Sequence, residues 1–371
     1  MARRQRTRAV AAGTAVSVAA LCAAWVPALG QEGDGGLLFT LGLSTTLSAS
    51  DNADLDPVSA GDTFLSETTL SFGLESITRT QALRFSLSDT FRTGDGPGAP
   101  ATAGFRGTNA DLSYERFVAN SRFNLSARLN TRDLNADVSD EDIEDSDDLI
   151  VDNGTLTTTR LGFGLETGLE APFGTELSLS QFRRKYSGTT DPDLEDSRRL
   201  TGNVALIFRP DPMTETRLAY THTEYVAEDV QGTERTTRSL AVSARRQLDP
   251  NTAITGSLGW TEITETWTAV PLTLPADSGF TASLGYSRGL PAGNFSAELS
   301  RDVTSAGGRT DISATRAFEF PAGTVEITLG ATKPDASSLQ PTGRIALSRA
   351  LPDQRFSVAL SSNISVNSDS V

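Results

Sequence analysis

Acidic side chains are concentrated in one stretch of the sequence, residues 133–152, which contains ten of them. Carboxylate oxygens are the ligands that Ca²⁺ prefers, and they can bridge divalent ions to phosphates. The stretch lacks the Asp-x-Asp-x-Asp-Gly spacing with a distal Glu that marks a calcium loop, so we interpret it as a solvated acidic loop. The acidic residues assigned to this loop are Asp137, Asp140, Glu141, Asp142, Glu144, Asp145, Asp147 and Asp148.

The residue types that usually carry catalysis are scarce. His222 is the only histidine and Cys22 the only cysteine, which excludes a metal site with two or more His or Cys ligands. His222 shares parity with Leu218 and Tyr220, so we expect it on an apolar face near a strand end rather than in a catalytic pocket. The sequence therefore predicts no enzymatic activity, no catalytic residue, no metal and no cofactor.

The first 30 residues have the pattern of a secretory leader. Four arginines lie within the first eight residues, a short apolar run covers 11–24, and small residues precede a cleavage position after Gly30. A transmembrane helix is the alternative, but the apolar run is short for a span. Cleavage would remove the only cysteine, and losing four arginines would take the net charge from −15 to −19.

Strict alternation of apolar and polar residues is clearest between Ser239 and Ile263. Leu240, Val242 and Ala244 occupy one parity before the break at 247–252, and the alternation resumes after it. Successive side chains of a strand point to opposite faces, and Asp-Pro-Asn turns the chain. The stretch predicts a β-hairpin with one apolar face and one polar face.

The same pattern recurs in 17 segments of about 10–13 residues between residue 37 and the C-terminus. Short breaks with Pro or Gly alternate with longer polar connections, as in a transmembrane barrel. We predict an all-β fold: a transmembrane antiparallel up-and-down β-barrel of about 16–18 strands, formed as a single domain by residues 31–371. A soluble β-sandwich or a β-solenoid is the alternative. Single-chain barrels normally have even strand numbers, so we expect one assignment or one end to be wrong.

Charged residues recur at the polar parity of these segments, where a barrel would place its lumen. They include equal numbers of arginines and carboxylates, so any cation preference is expected to be modest and to come mainly from the loops. The candidate lumen charges are Arg84, Arg122, Arg128, Arg217, Arg245, Arg344, Glu75, Asp111, Glu115, Glu298, Asp311 and Glu326.

Aromatic residues near the predicted strand ends could form the interfacial girdles of a membrane barrel. Ordinary strand aromatics are the alternative, because aromatic residues make up only 7% of the chain. The girdle candidates are Trp260, Trp267, Tyr186, Tyr225, Tyr286 and Phe91.

The Arg-x-Leu-x-Pro-x-Thr pattern at 246–252, repeated loosely at 349–352 before another alternating strand, resembles β-barrel porin type outer-membrane proteins of Gram-negative bacteria. The resemblance implies export through the cleaved leader to the outer membrane. It also implies contact with outer-membrane lipid, lipopolysaccharide and the barrel insertion machinery. One departure is the C-terminus, which lacks the terminal aromatic of such barrels, since Phe356 is the last aromatic residue.

A barrel of this strand number has a lumen wide enough for an aqueous channel. We therefore expect a porin-like channel for passive diffusion of small polar solutes, with no nucleic-acid partner. The alternative is a structural or accessory barrel linked to surface polysaccharide export, with an occluded lumen. The sequence does not specify an oligomeric state.

Overall fold

The computed structural model describes residues 18–20, 36–51, 61–97, 99, 103–134, 154–189, 191–269, 272–274, 276–305, 307–321, 323–350 and 357–364. Two strands are very short, β1 (Val18–Ala20) and β13 (Leu272–Thr273). The 17 long strands of the described part are β2 (Leu37–Ser50), β3 (Thr63–Ile77), β4 (Gln81–Asp95), β5 (Gly104–Val118), β6 (Ser121–Asp133), β7 (Thr155–Thr167), β8 (Phe173–Ser187), β9 (Ser197–Asp211), β10 (Thr214–Ala227), β11 (Thr233–Asp249), β12 (Thr252–Trp267), β14 (Asp277–Leu290), β15 (Gly293–Thr304), β16 (Gly307–Phe320), β17 (Gly323–Pro334), β18 (Gln340–Ala350) and β19 (Ser357–Ile364).

All of these strands belong to one antiparallel sheet, in which each long strand follows its neighbour in sequence. The sheet contains two compact units: residues 1–116, 125–161 and 184–194 form the first, and residues 117–124, 162–183 and 195–371 form the second. In the first unit, β2 to β5 pair in chain order. In the second unit, β9 to β12 and β14 to β19 pair in the same way, and β14 also pairs with β12.

This order confirms the predicted all-β, up-and-down architecture, and 17 long strands match the predicted number. The expectation of an even count is not met by the long strands of the described part. The short strand β1 pairs with β2 and lies within the segment interpreted as a leader. None of the described residues form a helix of the length and hydrophobicity needed to cross a membrane.

The β11–β12 hairpin shows how the sequence produces this arrangement. Its register pairs Val242 with Leu258 and Ser243 with Ser257, so each face keeps one polarity. At the turn, the Asp249 carboxylate accepts the backbone N–H of Asn251 at 2.8 Å, which closes the bend around Pro250. The predicted hairpin is therefore confirmed, with the turn where Asp-Pro-Asn placed it.

Eleven of the 17 long strands in the described part have 14–17 residues, more than the 10–13 expected, and the other six have 8–13. The apolar alternation stops before the strands do. β11 begins with six residues, 233–238, that contain only Thr, Glu and Arg, yet all of them pair with β10 or β12. Backbone pairing does not require apolar side chains, and Thr suits extended structure, so the ladder continues past the apolar region. Similarly, β9 continues through Pro210 to Asp211, although proline interrupts apolar alternation there.

The registers separate the side chains of the second unit onto two faces. One face, here called the apolar face, carries the cross-strand rows Tyr220–Leu240–Trp260–Phe280 and Leu218–Val242–Leu258–Ala282. The opposite, polar face carries the row Arg217–Ser243–Ser257–Ser283–Ser300–Asp311. The first unit repeats this division, with Leu41, Phe72 and Leu87 in one row and Thr40, Gly73 and Ser86 in the next.

The apolar face is exposed rather than packed. Leu41 is 69% accessible, Leu258 59% and Leu329 65%, and 41 large apolar side chains of the described residues are exposed. Only seven apolar residues of the described part are buried, and no large side chain there is fully buried. Burying a Leu or Phe side chain contributes about 1.5–3 kcal/mol, so a chain in water would leave most of this stabilisation unused. The apolar face therefore requires an apolar environment.

Arginine substitutions at two adjacent positions test this division of the faces. Leu258→Arg should lower the free energy of unfolding by about 2–4 kcal/mol, because it places a charge in the middle of the apolar face. Ser257→Arg should cost much less, although it removes the 2.7 Å hydrogen bond between the hydroxyls of Ser257 and Ser283. Urea unfolding in phospholipid vesicles measures both values. Equal losses at the two positions would contradict the assignment.

Candidate functional site: the polar face of the sheet

In each unit, the charges that the sequence suggested for a lumen have the polar parity of their strands, and the structure brings some of them together. In the first unit, Arg128 Nε lies 2.8 Å from Asp111 Oδ2, and Arg84 Nε lies 3.9 Å from Glu75 Oε1. The side chains of Arg128 and Asp111 are 62% and 40% accessible. Pairs with such access to solvent contribute little stability, so their effect is on the local field rather than on folding.

Other predicted charges have partners that the sequence analysis missed. Arg217 on β10 pairs with Glu176 on β8, with Nη2 and Oε1 2.7 Å apart. Asp311 accepts a hydrogen bond from Arg309 on its own strand at 2.8 Å. Both partners lie at the polar parity, so alternation could have found them, but the pairing of Arg217 with Glu176 depends on the register of non-adjacent segments.

Arg245, Glu298, Glu326 and Arg344 occupy the polar face without forming a salt bridge inside the described part of the chain. Arg245 lies opposite Glu215 and Thr255, and Glu298 lies opposite Gly285 and Ser313. Glu115 and Arg122 make interactions at the short-turn ends of their strands, and Arg122 lies over the Phe117 ring at 5.3 Å. These residues are spread along the face and do not converge on one point.

A further cluster lies on the polar face at the opposite ends of β9 to β12. Arg199, Tyr225, Arg235 and Glu265 occupy one cross-strand row. The guanidinium carbons of Arg199 and Arg235 lie 5.6 and 6.0 Å from the centroid of the Tyr225 ring. Arg235 Nε donates to Glu265 at 2.7 Å, and the indole N–H of Trp267 donates to the same carboxylate at 3.0 Å. Cation–π contacts and one ion pair thus hold an arginine on each side of the Tyr225 ring.

This cluster corrects part of the predicted aromatic girdle. Tyr225 and Trp267 face the charged row, because their parity is that of Arg235 and Glu265 rather than that of the apolar residues. Trp260 and Tyr286 do lie on the apolar face, opposite Leu240 and Ile254. Phe91 packs edge-on against Phe105, with ring centroids 5.4 Å apart. Proximity to a strand end did not distinguish these cases, whereas parity does.

Charge on the polar face of the second unit is unevenly distributed. On β9 to β11 this face carries five arginines and one carboxylate, Glu215, whereas on β15 to β17 it carries five carboxylates and one arginine, Arg309. A solute between these two groups would experience a field directed from one to the other. The arginines are Arg199, Arg209, Arg217, Arg235 and Arg245; the carboxylates are Glu298, Asp302, Asp311, Glu319 and Glu326.

His222 lies on the apolar face, as its parity predicts, in the row of Gly202 and Arg238. Its Nε2 is 3.1 Å from the carboxylate of Glu224, two residues along the same strand. Within the described ranges, no three His, Cys, Asp or Glu side chains are grouped so as to hold a metal ion. The acidic residues assigned to the loop between 137 and 148 lie outside the described residues. The neighbouring Asp133 pairs with Arg106 at 2.6 Å.

One ion pair connects a strand to the connection that follows β17. Arg301 on β15 donates from both terminal nitrogens to Asp335, at 2.9 and 2.7 Å. The hydrogen bonds from Arg301 hold the pKa of Asp335 below its usual value, and the charges of Arg301 and Lys333 act in the same direction. The backbone N–H of Asp335 also donates to Gly308, so the pair fixes the connection to the β15–β16 ends.

Neither a protein-family model nor a curated protein matches the chain. Among solved structures, a mutant of the Rh. blastica porin is 13% identical, with 82% of this chain and 98% of that chain covered and a TM-score of 0.30. Another mutant of the same porin is 12% identical, with 88% of this chain and 100% of that chain covered and a TM-score of 0.32. A triple mutant of the Rhodopseudomonas blastica porin is 13% identical, with 88% of this chain and 100% of that chain covered and a TM-score of 0.31. At these scores, the fold assignment rests on the strand order and registers described above.

The Arg301–Asp335 pair predicts a pH-dependent contribution to stability. A carboxylate whose pKa is lowered by folding stabilises the folded state above its unfolded pKa, near 3.9, and loses this contribution as the pH falls through the folded pKa. The difference in unfolding free energy between the parent and Asp335→Asn should therefore be constant above about pH 5 and disappear under strongly acidic conditions. Urea titrations from pH 7 to pH 2 measure it, and Arg301→Gln should abolish the same dependence. A difference that persists at pH 2 would contradict this origin.

Proposed function

We propose that the chain is a porin-like channel of the outer membrane that lets small polar solutes diffuse passively. The observation that carries the proposal is the reversal of the usual arrangement of a soluble protein. Large apolar side chains such as Leu258 and Leu284 are exposed, while the opposite face carries Ser, Thr, Gly and charged residues. A closed sheet with its apolar face in lipid and its polar face around water satisfies both surfaces.

The height of the apolar face supports a membrane span. On β11 the apolar parity is charged at Arg238 and again at Arg246, with Leu240, Val242 and Ala244 between them. Eight residues of strand cover about 27 Å, and a tilt of 35–45° reduces this to roughly 20 Å. The outward apolar band of membrane barrels is about 25 Å tall, so the two arginines would lie at its boundaries.

The composition of the polar face supports passage of water and small polar solutes. Its central rows in the second unit consist mainly of small hydroxyl residues and glycine, with an excess of arginines on β9 to β11 and of carboxylates on β15 to β17. A lumen of 16–18 strands leaves an aqueous channel when no segment fills it. The separated charges would orient a dipolar solute across the pore without binding it covalently, and no residue is assigned a catalytic role.

The same proposal includes export through a leader of residues 1–30, insertion by the barrel insertion machinery, and contact with outer-membrane lipid and lipopolysaccharide. The acidic stretch at 133–152 would then extend from one of the longer connections. Its carboxylates would act on solutes through solvent, where charges are screened beyond about 8 Å at physiological salt.

Channel activity is tested by conductance in planar lipid bilayers. The protein should migrate faster unheated than boiled on a detergent gel, which reports the folded barrel, and the same preparation should produce discrete current steps. Boiled protein is the control. A heat-modifiable protein that inserts without conducting would refute the channel and favour the accessory barrel with an occluded lumen. Recovery only as a soluble monomer would refute the membrane assignment itself.

Selectivity should respond to the arginine pair at Tyr225. Arg199→Gln removes a positive charge from the polar face and should shift the reversal potential in a KCl gradient towards cations. The change in permeability ratio should stay below roughly tenfold, because one solvated charge contributes on the order of 1 kcal/mol. Arg238→Gln, which removes an exposed arginine from the opposite face, is the matched control. An equal shift in both variants would mean that the pore does not follow the polar face.

A further inference from the structure

Four arginines lie on the apolar face close to the C-terminal ends of β11, β14, β16 and β18. They are Arg246, Arg288, Arg316 and Arg349. Their positions follow from the registers: Arg246 is opposite Ile254, Arg288 and Arg316 are both opposite Phe295, and Arg349 is opposite Gly323. We call this set the arginine belt.

The arginine belt shares its face with two carboxylates in the described second unit. Asp249 is opposite Thr252, which is opposite Arg288, and Asp211 is opposite Thr214, which is opposite Arg246. Asp249 is near enough to experience the charge of Arg288, yet none of the four arginines forms a salt bridge with a described residue. With four arginines and two carboxylates, the belt keeps an excess of positive charge at these strand ends.

At the other ends of these strands, several charges on the apolar face form pairs of opposite sign. His222 pairs with Glu224, and Arg301 pairs with Asp335. Arg238 lies directly opposite Glu262 on β12. At the ends that carry the belt, by contrast, none of the four arginines forms such a pair, although Asp249 and Asp211 lie two strands away from Arg288 and Arg246.

Arg288 and Arg316 flank Phe295 from the two neighbouring strands, so their Cα atoms are about 10 Å apart. The Arg316 guanidinium lies 4.5 Å from the centre of the Phe318 ring, and its Nη1 is buried from solvent without a hydrogen-bond acceptor. Two long guanidinium side chains at this spacing can reach one phosphate placed above Phe295. Because Nη1 has no acceptor in the described chain, a rotation of the guanidinium that brings it to a phosphate breaks no hydrogen bond of that atom.

A shallow apolar hollow of about 500 Å³ begins next to this pair. Its floor is formed by the small residues Ala297 and Ala314, two positions along their strands from Phe295 and Arg316. Leu284, Leu299, Ile312 and Leu329 form its walls. The hollow thus continues from the arginines into the apolar face, in the direction that an acyl chain would take from its head group.

We propose that Arg288 and Arg316 bind the phosphate of an anionic phospholipid, with one acyl chain in the hollow over Ala297 and Ala314, and that Arg246 and Arg349 extend the same contact along the belt. This inference rests on the proposed membrane location and goes beyond it by naming a lipid and its site. Guanidinium groups match phosphate oxygens in bidentate geometry, and basic residues at a membrane surface attract anionic lipid. A second copy of the chain would fit this site less well than a phospholipid, because a two-fold contact would place the arginines of one copy against those of the other.

The experiment uses the full mature chain reconstituted into nanodiscs of phosphatidylcholine and phosphatidylglycerol in a 4:1 ratio, with native mass spectrometry to count retained lipids. The parent protein should retain phosphatidylglycerol in preference to phosphatidylcholine. Arg288→Gln with Arg316→Gln should reduce that preference roughly tenfold, because two basic side chains leave the interface. Arg245→Gln with Arg344→Gln removes two arginines from the polar face and should leave the preference unchanged. Arg288→Lys with Arg316→Lys keeps the charge and should retain part of it.

The outcomes separate this inference from the proposed function. A protein that inserts, shows heat-modifiable migration and conducts, but retains phosphatidylglycerol equally in the parent and in the Arg288→Gln, Arg316→Gln variant, overturns the lipid site alone. Equal loss in the polar-face control also overturns it, because the effect would then reflect net charge. Failure of the parent to insert into any bilayer overturns the proposed function. If the glutamine variant does not fold, the lysine variant and the Ala314→Leu variant, which fills the hollow, decide the result by the same measurement.

Discussion

Backbone hydrogen bonding is the constraint on which the rest of this structure depends. An apolar solvent offers no partner for a backbone N–H or C=O, so every strand that faces lipid must be paired on both sides. Sequential antiparallel pairing does this with short connections, and it is the pattern that β2 to β5 and β9 to β19 follow within their units. Once the backbone is satisfied by its neighbours, the side chains need not form a packed core. This explains how the sheet can leave large residues such as Leu41 and Leu258 exposed.

The two faces then serve separate requirements. On the apolar face, the rows through Leu240 and Val242 provide contact area for hydrocarbon, and small residues such as Ala297 make local hollows. On the polar face, side chains must remain solvated or find partners, and they do so through hydroxyl pairs such as Ser257–Ser283 and ion pairs such as Arg217–Glu176. Because alternation is fixed by strand geometry, a shift of one residue would exchange the faces completely. The register is therefore strongly specified by the sequence.

The link between strand register and the polarity of the two faces explains which features could be predicted from the sequence. The β11–β12 hairpin, its turn at Asp249-Pro250-Asn251 and the assignment of Leu258 and Ser257 to opposite faces all follow from alternation and turn chemistry, which are local properties. Cross-strand partners are not local. Glu176 and Arg217 are 41 residues apart, and Arg301 and Asp335 are 34 apart, so neither pair can be identified before the register is known. Strand length was underestimated because apolar alternation ends where lipid contact would end, whereas backbone pairing continues through polar residues such as Thr233–Arg238.

Tyr225 shows why position along a strand is weaker evidence than parity. Its place near a strand end suggested an interfacial aromatic, but its parity orients the ring towards Arg199 and Arg235, where its face stabilises two cations. Arg316 shows the converse. It has the parity of the apolar face, its guanidinium lies over the Phe318 ring, and its Nη1 donor has no hydrogen-bond acceptor. In both cases the parity determines the surroundings, and the surroundings determine the chemistry. An arginine on the apolar face finds its counter-charge in a neighbouring carboxylate, as Arg301 does in Asp335, or, as we propose for Arg316, in a lipid phosphate.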